Sequence, residues 1–157
     1  MTAVASAAPA ISLRLVTRQN LAAVCALDAG DGGHQVAPNQ RSMAQAAVHE
    51  EAWPRAIYAG EQAVGFLMLY DPSQCAAPEE PDYFLWRLMV DSAQQGRGIG
   101  HAAVALLIAH VRTRPGAMQL KVSHVEGADA TRRFYLSLGF VDTGEVDEGE
   151  RVMALDL

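Results

Sequence analysis

The sequence predicts a mixed α/β fold, one sheet with helices packed on it. Late in the chain, helical segments at Ile99–Arg112 and Asp129–Leu138 alternate with strand-like segments, the pattern of crossover connections. In the middle, "RAIYAGEQAVGFLMLY" reads as two strands joined by a tight turn at Gly60-Glu61-Gln62, a hairpin that a fully parallel sheet does not contain. No internal repeat or low-complexity tract competes with this reading.

The elements follow in order. "ISLRLV" (Ile11–Val16) alternates apolar and polar residues, as a half-buried strand does. Leu21, Val24, Cys25 and Asp28 then recur at helical spacing, with Asn20 as N-cap and Gly30 as the stop. "GDGGHQVAPN" is a loop; Asn39 or Ser42 caps a short second helix running to Val48, and Trp53-Pro54 breaks the chain again. After the hairpin, Pro72, Pro78 and Pro81 with Glu79-Glu80 predict an exposed loop. "DYFLWRLMV" is a strand rich in aromatic and branched residues. The Ile99–Arg112 helix ends at Pro115-Gly116, "MQLKVSHV" is a strand, and Gly139 closes the last helix. "FVDTGEV" and "ERVMALDL" form a terminal strand pair. Residues 1–10 read as a loose tail without the basic and apolar regions of a secretory leader, and 11–157 as a single domain.

Twelve Lys and Arg against eighteen Asp and Glu leave a net charge of −6, which argues against nucleic acid or an anionic membrane as partner and suits a cationic small molecule. Cys25 and Cys75 fit no zinc spacing, so they read as reduced thiols in a cytoplasmic protein without a metal framework. No segment approaches the roughly 18 apolar residues of a membrane span.

The chemistry concentrates in "QGRGIG", Gln95–Gly100, between a strand and a helix. The first N–H groups of a helix lack intrahelical partners and sit at the positive end of its dipole, so a glycine-rich entry can wrap an anion such as a phosphate. The loop is neither of the common phosphate motifs. No Lys-Ser or Lys-Thr follows, as a Walker loop requires, and a dinucleotide fingerprint would need glycine where His101 stands.

Gln95, Gly98 and Gly100 match in register the signature of the GNAT superfamily of acyl-CoA-dependent N-acetyltransferases, which the chain resembles over nearly its whole length. "VAPNQRSMAQA", "AIYAGEQAVGFLML", "LWRLMVD" and "RFYLSLGFVDTGEVDEGERVMALDL" are similar to the bacterial spermine/spermidine acetyltransferase branch. The resemblance implies a mostly antiparallel sheet splayed at the cofactor cleft, with helices on both faces. It implies acetyl-CoA as cofactor, its diphosphate cradled by Gln95, Gly96, Arg97, Gly98, Ile99, Gly100 and His101, with Val90 pairing with the pantetheine chain and Met89 and Phe134 also binding the cofactor. The Leu88 N–H would face the acetyl oxygen and Tyr135 would protonate the departing thiolate. Acceptor contacts would come from Asp28, His34, Trp86 and His124. A small-molecule amine is the partner implied, and a homodimer is compatible with the family.

Two departures stand out. Ala128 occupies a place where many relatives have Asn, and Trp86 and Arg87 stand where some polyamine enzymes carry a glutamate base. Deprotonating an alkylammonium of pKa ~10.4 at pH 7 costs about 4.6 kcal/mol, so a base or water relay is needed. His34, Glu51, His124 and Glu126 are all open for that role. Asp28, Asp31 and the Glu79–Asp82 cluster could draw a polycation inward. Direct acetyl transfer to a polyamine is the leading expectation. The alternatives are another amine (antibiotic, amino acid or protein N-terminus), a non-catalytic acyl-CoA sensor, or a plain nucleotide-binding domain.

Overall fold

A computed structural model describes residues 7–30, 32 and 36–157. The elements run β1 (Ile11–Leu15), α1 (Leu21–Ala26), α2 (Asn39–Ala46), β2 (Ala52–Ala59), β3 (Gln62–Tyr70), β4 (Tyr83–Val90), α3 (Ile99–Val111), β5 (Gln119–His124), α4 (Asp129–Ser137), β6 (Val141–Asp147) and β7 (Glu150–Asp156). The strands form one open sheet in the order β1-β2-β3-β4-β5-β7-β6, antiparallel throughout except for the parallel β4–β5 pair. His34 and Asp31, singled out in the sequence, lie outside the described residues.

Alternation along the strands sorts side chains onto two faces. Ile57, Leu67, Leu69, Leu85, Leu120, Val122 and Met153 pack with Val104 and Leu107 of α3 and Tyr135 of α4. On the opposite face, Ala56, Phe66, Met68 and Met89 meet Val24 of α1, with Met43 and Ala46 of α2 packed against them. Helices therefore cover both faces. In α3 the buried residues Ile99, Ala103, Val104, Leu107, Ile108 and Val111 form the stripe that a 3.6-residue period dictates.

Several local expectations are corrected. Asn20 sits at the start of α1, but its Oδ1 accepts from Thr17 N at 2.8 Å instead of capping the helix. The helix ends at Ala26 because Leu27 is extended, well before Gly30. Pro38, not Asn39 or Ser42, occupies the N-cap of α2. Both polar residues are buried inside that helix, and Asn39 Nδ2 donates to Val24 O at 2.8 Å, tying α2 to α1. Trp53-Pro54 does not break the chain but lies within β2. Pro54 pairs with Met68 on β3, while β1 pairing stops at Arg55; its other flank is an open edge, where a strand tolerates proline. The loop after β3 begins with a buried anchor instead of an exposed turn: Asp71 is fully buried and meets Arg114 Nε at 2.9 Å.

The β3–β4 contact is tight at Gly65, where an added Cβ would fall 2.5 Å from Met89 O and 3.0 Å from Ile57 Cδ1. Backbone cannot yield as a flexible side chain does. Gly65→Ala is expected to destabilise by about 2 kcal/mol, lowering Tm by roughly 4–8 °C in a thermal melt.

Candidate active site

β4 and β5 pair over only three positions, Tyr83–Leu120, Phe84–Lys121 and Leu85–Val122. Beyond them β5 stays with β7 through Ser123 and His124, and β4 stays with β3 through Val90, so a gap opens between the two halves of the sheet. A bulge marks the parting. Met68 pairs with Arg87 and Leu69 with Leu85, leaving Trp86 as the extra residue. Trp86 therefore joins Met89 on the α1–α2 face, while Leu88 and Val90 return to the α3–α4 face.

The backbone direction follows from the ladder. Asp91 N donates to Val64 O at 2.8 Å, so alternation turns the Met89 N–H towards β3 and the N–H groups of Leu88 and Val90 into the gap. The Val90 carbonyl, on that same side, accepts from Gln95 Nε2 at 3.0 Å.

Gln95 also donates to Ala29 O at 3.0 Å, pinning the glycine loop to the segment after α1. A second clamp reinforces it: Asp91 Oδ2 accepts from Asp28 N at 3.0 Å, and Ser92 N donates to Asp28 O at 2.7 Å. Gly96 and Gly98 have φ of +77° and +76°, the left-handed region that a side chain disfavours, and a Cβ at either would meet nothing within 4 Å. Open space lies in front of both. The first intrahelical donor of α3 shown is Ala102, to Gly98 O, which leaves the N–H groups of Ile99, Gly100 and His101 as the leading donors of the helix. Gly100 is packed instead: its Cβ would sit 3.5 Å from Phe134 Cζ and 3.7 Å from Val90 Cγ2. Arg97 Nη1 donates to Gln94 Oε1 at 3.1 Å on the exposed side of the loop.

Tyr135 is buried between Phe134 and Phe140, with ring centroids 5.0 and 5.4 Å away. Burial, and secondarily the Glu150 carboxylate, push its phenol well above the ordinary range. His101 meets Phe134 edge-on at 6.4 Å. Thus β4, the loop, α3 and α4 bring together Leu88, Val90, Gln95–His101, Phe134 and Tyr135.

The acceptor candidates are more dispersed. Asp28 lines a cleft of about 370 Å³ with Cys25, Val36 and Asn39; Met89, expected on the cofactor, turns its side chain into this α1–α2 cleft instead. The Asp28 carboxylate is occupied by Gly30 N at 2.8 Å. Trp86 packs on Tyr70, with centroids 4.9 Å apart. His124 ends β5, its Nδ1 3.1 Å from Val125 O and its Nε2 buried without a partner; it lines a second cleft of about 270 Å³. Of the base candidates, Glu126 is paired with Arg151 at 2.8 Å. Glu51 precedes β2 at the Tyr83 end of β4, away from the glycine loop. Ala128 is the N-cap residue of α4 and offers no side-chain cap. Sequence reading missed Asp91, Ser123 and Glu150. Only Asp91 carried a local signal, an acid placed to accept from the N–H two residues on, Ala93 N at 3.0 Å.

The profile of the acetyltransferase (GNAT) family matches residues 21–140. The chain belongs to that family. This acetyltransferase is accordingly an acetyl-CoA-dependent N-acetyltransferase. No curated protein sequence matches it. Its fold is that of an aminoglycoside acetyltransferase solved with coenzyme A and kanamycin, with TM-score 0.75 and 20% identity, covering 94% of this chain and 95% of that one. It is also similar to the ribosomal-protein-S18-alanine N-acetyltransferase from Escherichia coli, with TM-score 0.68, 18% identity and 94% of each chain covered. A third similar structure is an acetyltransferase from Thermus thermophilus, with TM-score 0.68 and 18% identity over 94% of this chain and 97% of that one.

Forcing a Cβ into the left-handed conformation at Gly98 costs about 1–2 kcal/mol or rotates the leading amides out of line. Gly98→Ala is expected to raise the Kd for coenzyme A by about 10-fold in calorimetry, with the unliganded Tm lowered by only a few degrees.

Proposed function

We propose that this acetyltransferase moves acetyl from acetyl-CoA to a primary amine of a small molecule, with a polyamine such as spermine or spermidine as acceptor, by direct attack. The observation that carries the reading is the conjunction of the β4–β5 gap with the left-handed glycine loop at its mouth. Inward-facing N–H groups line one, and leading helix donors line the other. Those donor sets fit a ligand with a diphosphate at one end and an amide-bearing arm at the other.

In this reading the N–H groups of Ile99, Gly100 and His101 bind the diphosphate, with Gln95 holding the loop and Arg97 beside it. Val90 N–H bonds the pantetheine arm and Phe134 flanks it, whereas the Met89 side chain lies on the opposite, α1–α2 face of the sheet. When bound, acetyl-CoA supplies the activated thioester. Leu88 N–H, already aimed into the gap, donates to the acetyl oxygen as negative charge grows there. The Tyr135 phenol delivers a proton to sulfur, and its raised pKa keeps that proton in place across the working range.

Support for a polyamine comes from the net charge of −6, from the resemblance noted above, and from the acidic β6–β7 hairpin with Glu145, Asp147, Glu148 and Glu150. A second reading, an aminoglycoside or a peptide amine as acceptor, is favoured by the structural relatives that act on such amines. Free Cys25 and Cys75 suit a reducing cytoplasm, and among the described residues no helix is long and apolar enough to cross a membrane. The edge strand β6, with Val141 and Val146 exposed, is the surface a homodimer would cover.

A thiol-release assay with acetyl-CoA and a panel of spermine, spermidine, kanamycin and an alanyl peptide tests the acceptor. Turnover of the polyamines supports the leading reading; turnover of another amine alone removes it. Tyr135→Phe is expected to lower kcat by about 10²-fold while the Kd for coenzyme A stays within about twofold. Because the phenol's pKa is raised above its unfolded value of about 10, its contribution to stability is complete below that pH and is lost above it. The kcat profile should show no alkaline limb from Tyr135 below about pH 10.

A further inference from the structure

We propose that Glu150 is the acceptor-side carboxylate of this site, binding the ammonium head of the amine and taking its proton, with Ser123 as its positioning residue. The proposal rests on the acetyl-transfer reading and deepens it. Ser123 is the first residue of β5 beyond the last β4 partner, Val122. Val122 and Leu120 are buried in the α3–α4 core, so Ser123 points to the other face. On β7, Val152 pairs with Ser123, and Glu150 lies two residues away on that same face. Ser123 Oγ donates to Glu150 Oε2 at 2.5 Å, which fixes the carboxylate at the open end of the gap.

Of the acids on the β6–β7 hairpin that form no ion pair among the described residues, Asp147, Glu148 and Glu150, Glu150 is the one whose carboxylate is held by a side-chain hydrogen bond, and the other acids nearby are in ion pairs. Glu126 is paired with Arg151, Asp142 with Arg132, and both Glu145 and Asp82 with Lys121. No ion pair among the described residues occupies Glu150, whose polar partner is a neutral hydroxyl. It follows the two-residue β6–β7 turn, in which Glu148 and Gly149 have φ of +48° and +85° as a tight hairpin requires, so the turn fixes where β7 begins.

The charged groups facing Glu150 come from every side of the gap. From β4, Arg87 donates to Trp86 O and Gln45 Oε1 and leaves its Nε buried without a partner. Desolvation and Arg41 lower the Arg87 pKa, while Glu150 and Glu148 raise it. From α4, the Tyr135 phenol has its pKa raised first by burial and secondarily by the Glu150 carboxylate. Lys121, two residues before Ser123 on β5, is engaged by Asp82 and Glu145. The Glu150 carboxylate thus acts electrostatically on both the Tyr135 phenol and the Arg87 guanidinium, which donates to Gln45 of α2.

The ammonium gives one proton to Glu150, which passes it to solvent, and the freed lone pair forms the N–C bond to the acetyl carbon. The C–S bond breaks, sulfur takes the phenolic proton of Tyr135, and the nitrogen's surplus proton returns to the phenolate. Ammonium and thioester become amide, thiol and one released proton.

The test compares wild type, Glu150→Gln, Glu150→Asp and Ser123→Ala, with spermidine, kanamycin and an alanyl peptide as charged amines and hydroxylamine as a nucleophile already neutral at pH 7. Glu150→Gln should lose at least about 10-fold in kcat/KM with the charged amine turned over, less than about 3-fold with hydroxylamine, and keep the Kd for coenzyme A within about twofold. Glu150→Asp should recover part of that loss, and Ser123→Ala should lose about 3–10-fold with the charged amine alone. A smaller loss in Glu150→Gln, an equal loss with hydroxylamine, or no recovery in Glu150→Asp overturns the assignment. If wild type binds coenzyme A and acetylates amines while Glu150→Gln is indifferent, only the Glu150 role fails. If wild type neither binds coenzyme A nor releases thiol with any of these nucleophiles, the acetyl-transfer reading fails with it.

Discussion

Three paired positions hold β4 to β5, and beyond Leu85 the β5-facing backbone of β4 has no strand to bond. An interior strand with free N–H groups is costly unless something else satisfies them, so the gap is the constraint around which the remaining parts are arranged. Gln95 caps the Val90 carbonyl from outside, removing one acceptor and leaving the amides of Leu88 and Val90 facing inward. The closed end of the gap is sealed by Tyr83, Leu85, Leu120 and Val122, all buried in the larger core. A β4 that paired along its whole length would have no opening for a thioester.

The two faces of the sheet divide the chemistry in the proposed mechanism. α3 and α4 bring the leading amides and the Tyr135 phenol to one face, whereas the bulge at Trp86, the α1–α2 cleft and Glu150 belong to the other. Attack through the gap then joins a thioester held on one side to an amine approaching from the opposite side. The clamp between Asp28 and Asp91 ties these sides together, because it links the end of α1 to the turn that opens the glycine loop.

Much of this was legible where the signal is local. The strand–glycine loop–helix succession, the Gly60-Glu61 hairpin turn and the position of α4 follow from neighbouring residues in the chain, and so did the mixed sheet. Trp53-Pro54 misled because proline usually interrupts a strand, and only the register with β1 reveals that its flank is open. Asn39 and Ser42 look like caps in isolation but are buried by tertiary packing of α2 on α1. Ser123 and Glu150 are separated by 27 positions and meet only through β5–β7 pairing, so no spacing rule could have joined them. The proposed acceptor site is less legible for that reason: its candidate side chains come from β4, β5, β7 and the segment after α1.

Backbone amide NMR of the full chain, titrated with coenzyme A, tests the central claim most directly. The account predicts that the largest shifts fall on Leu88, Val90 and Gly98–His101, with the N–H groups of Leu88 and Val90 gaining protection from exchange. Saturable binding that leaves those amides unmoved and perturbs another surface would contradict it.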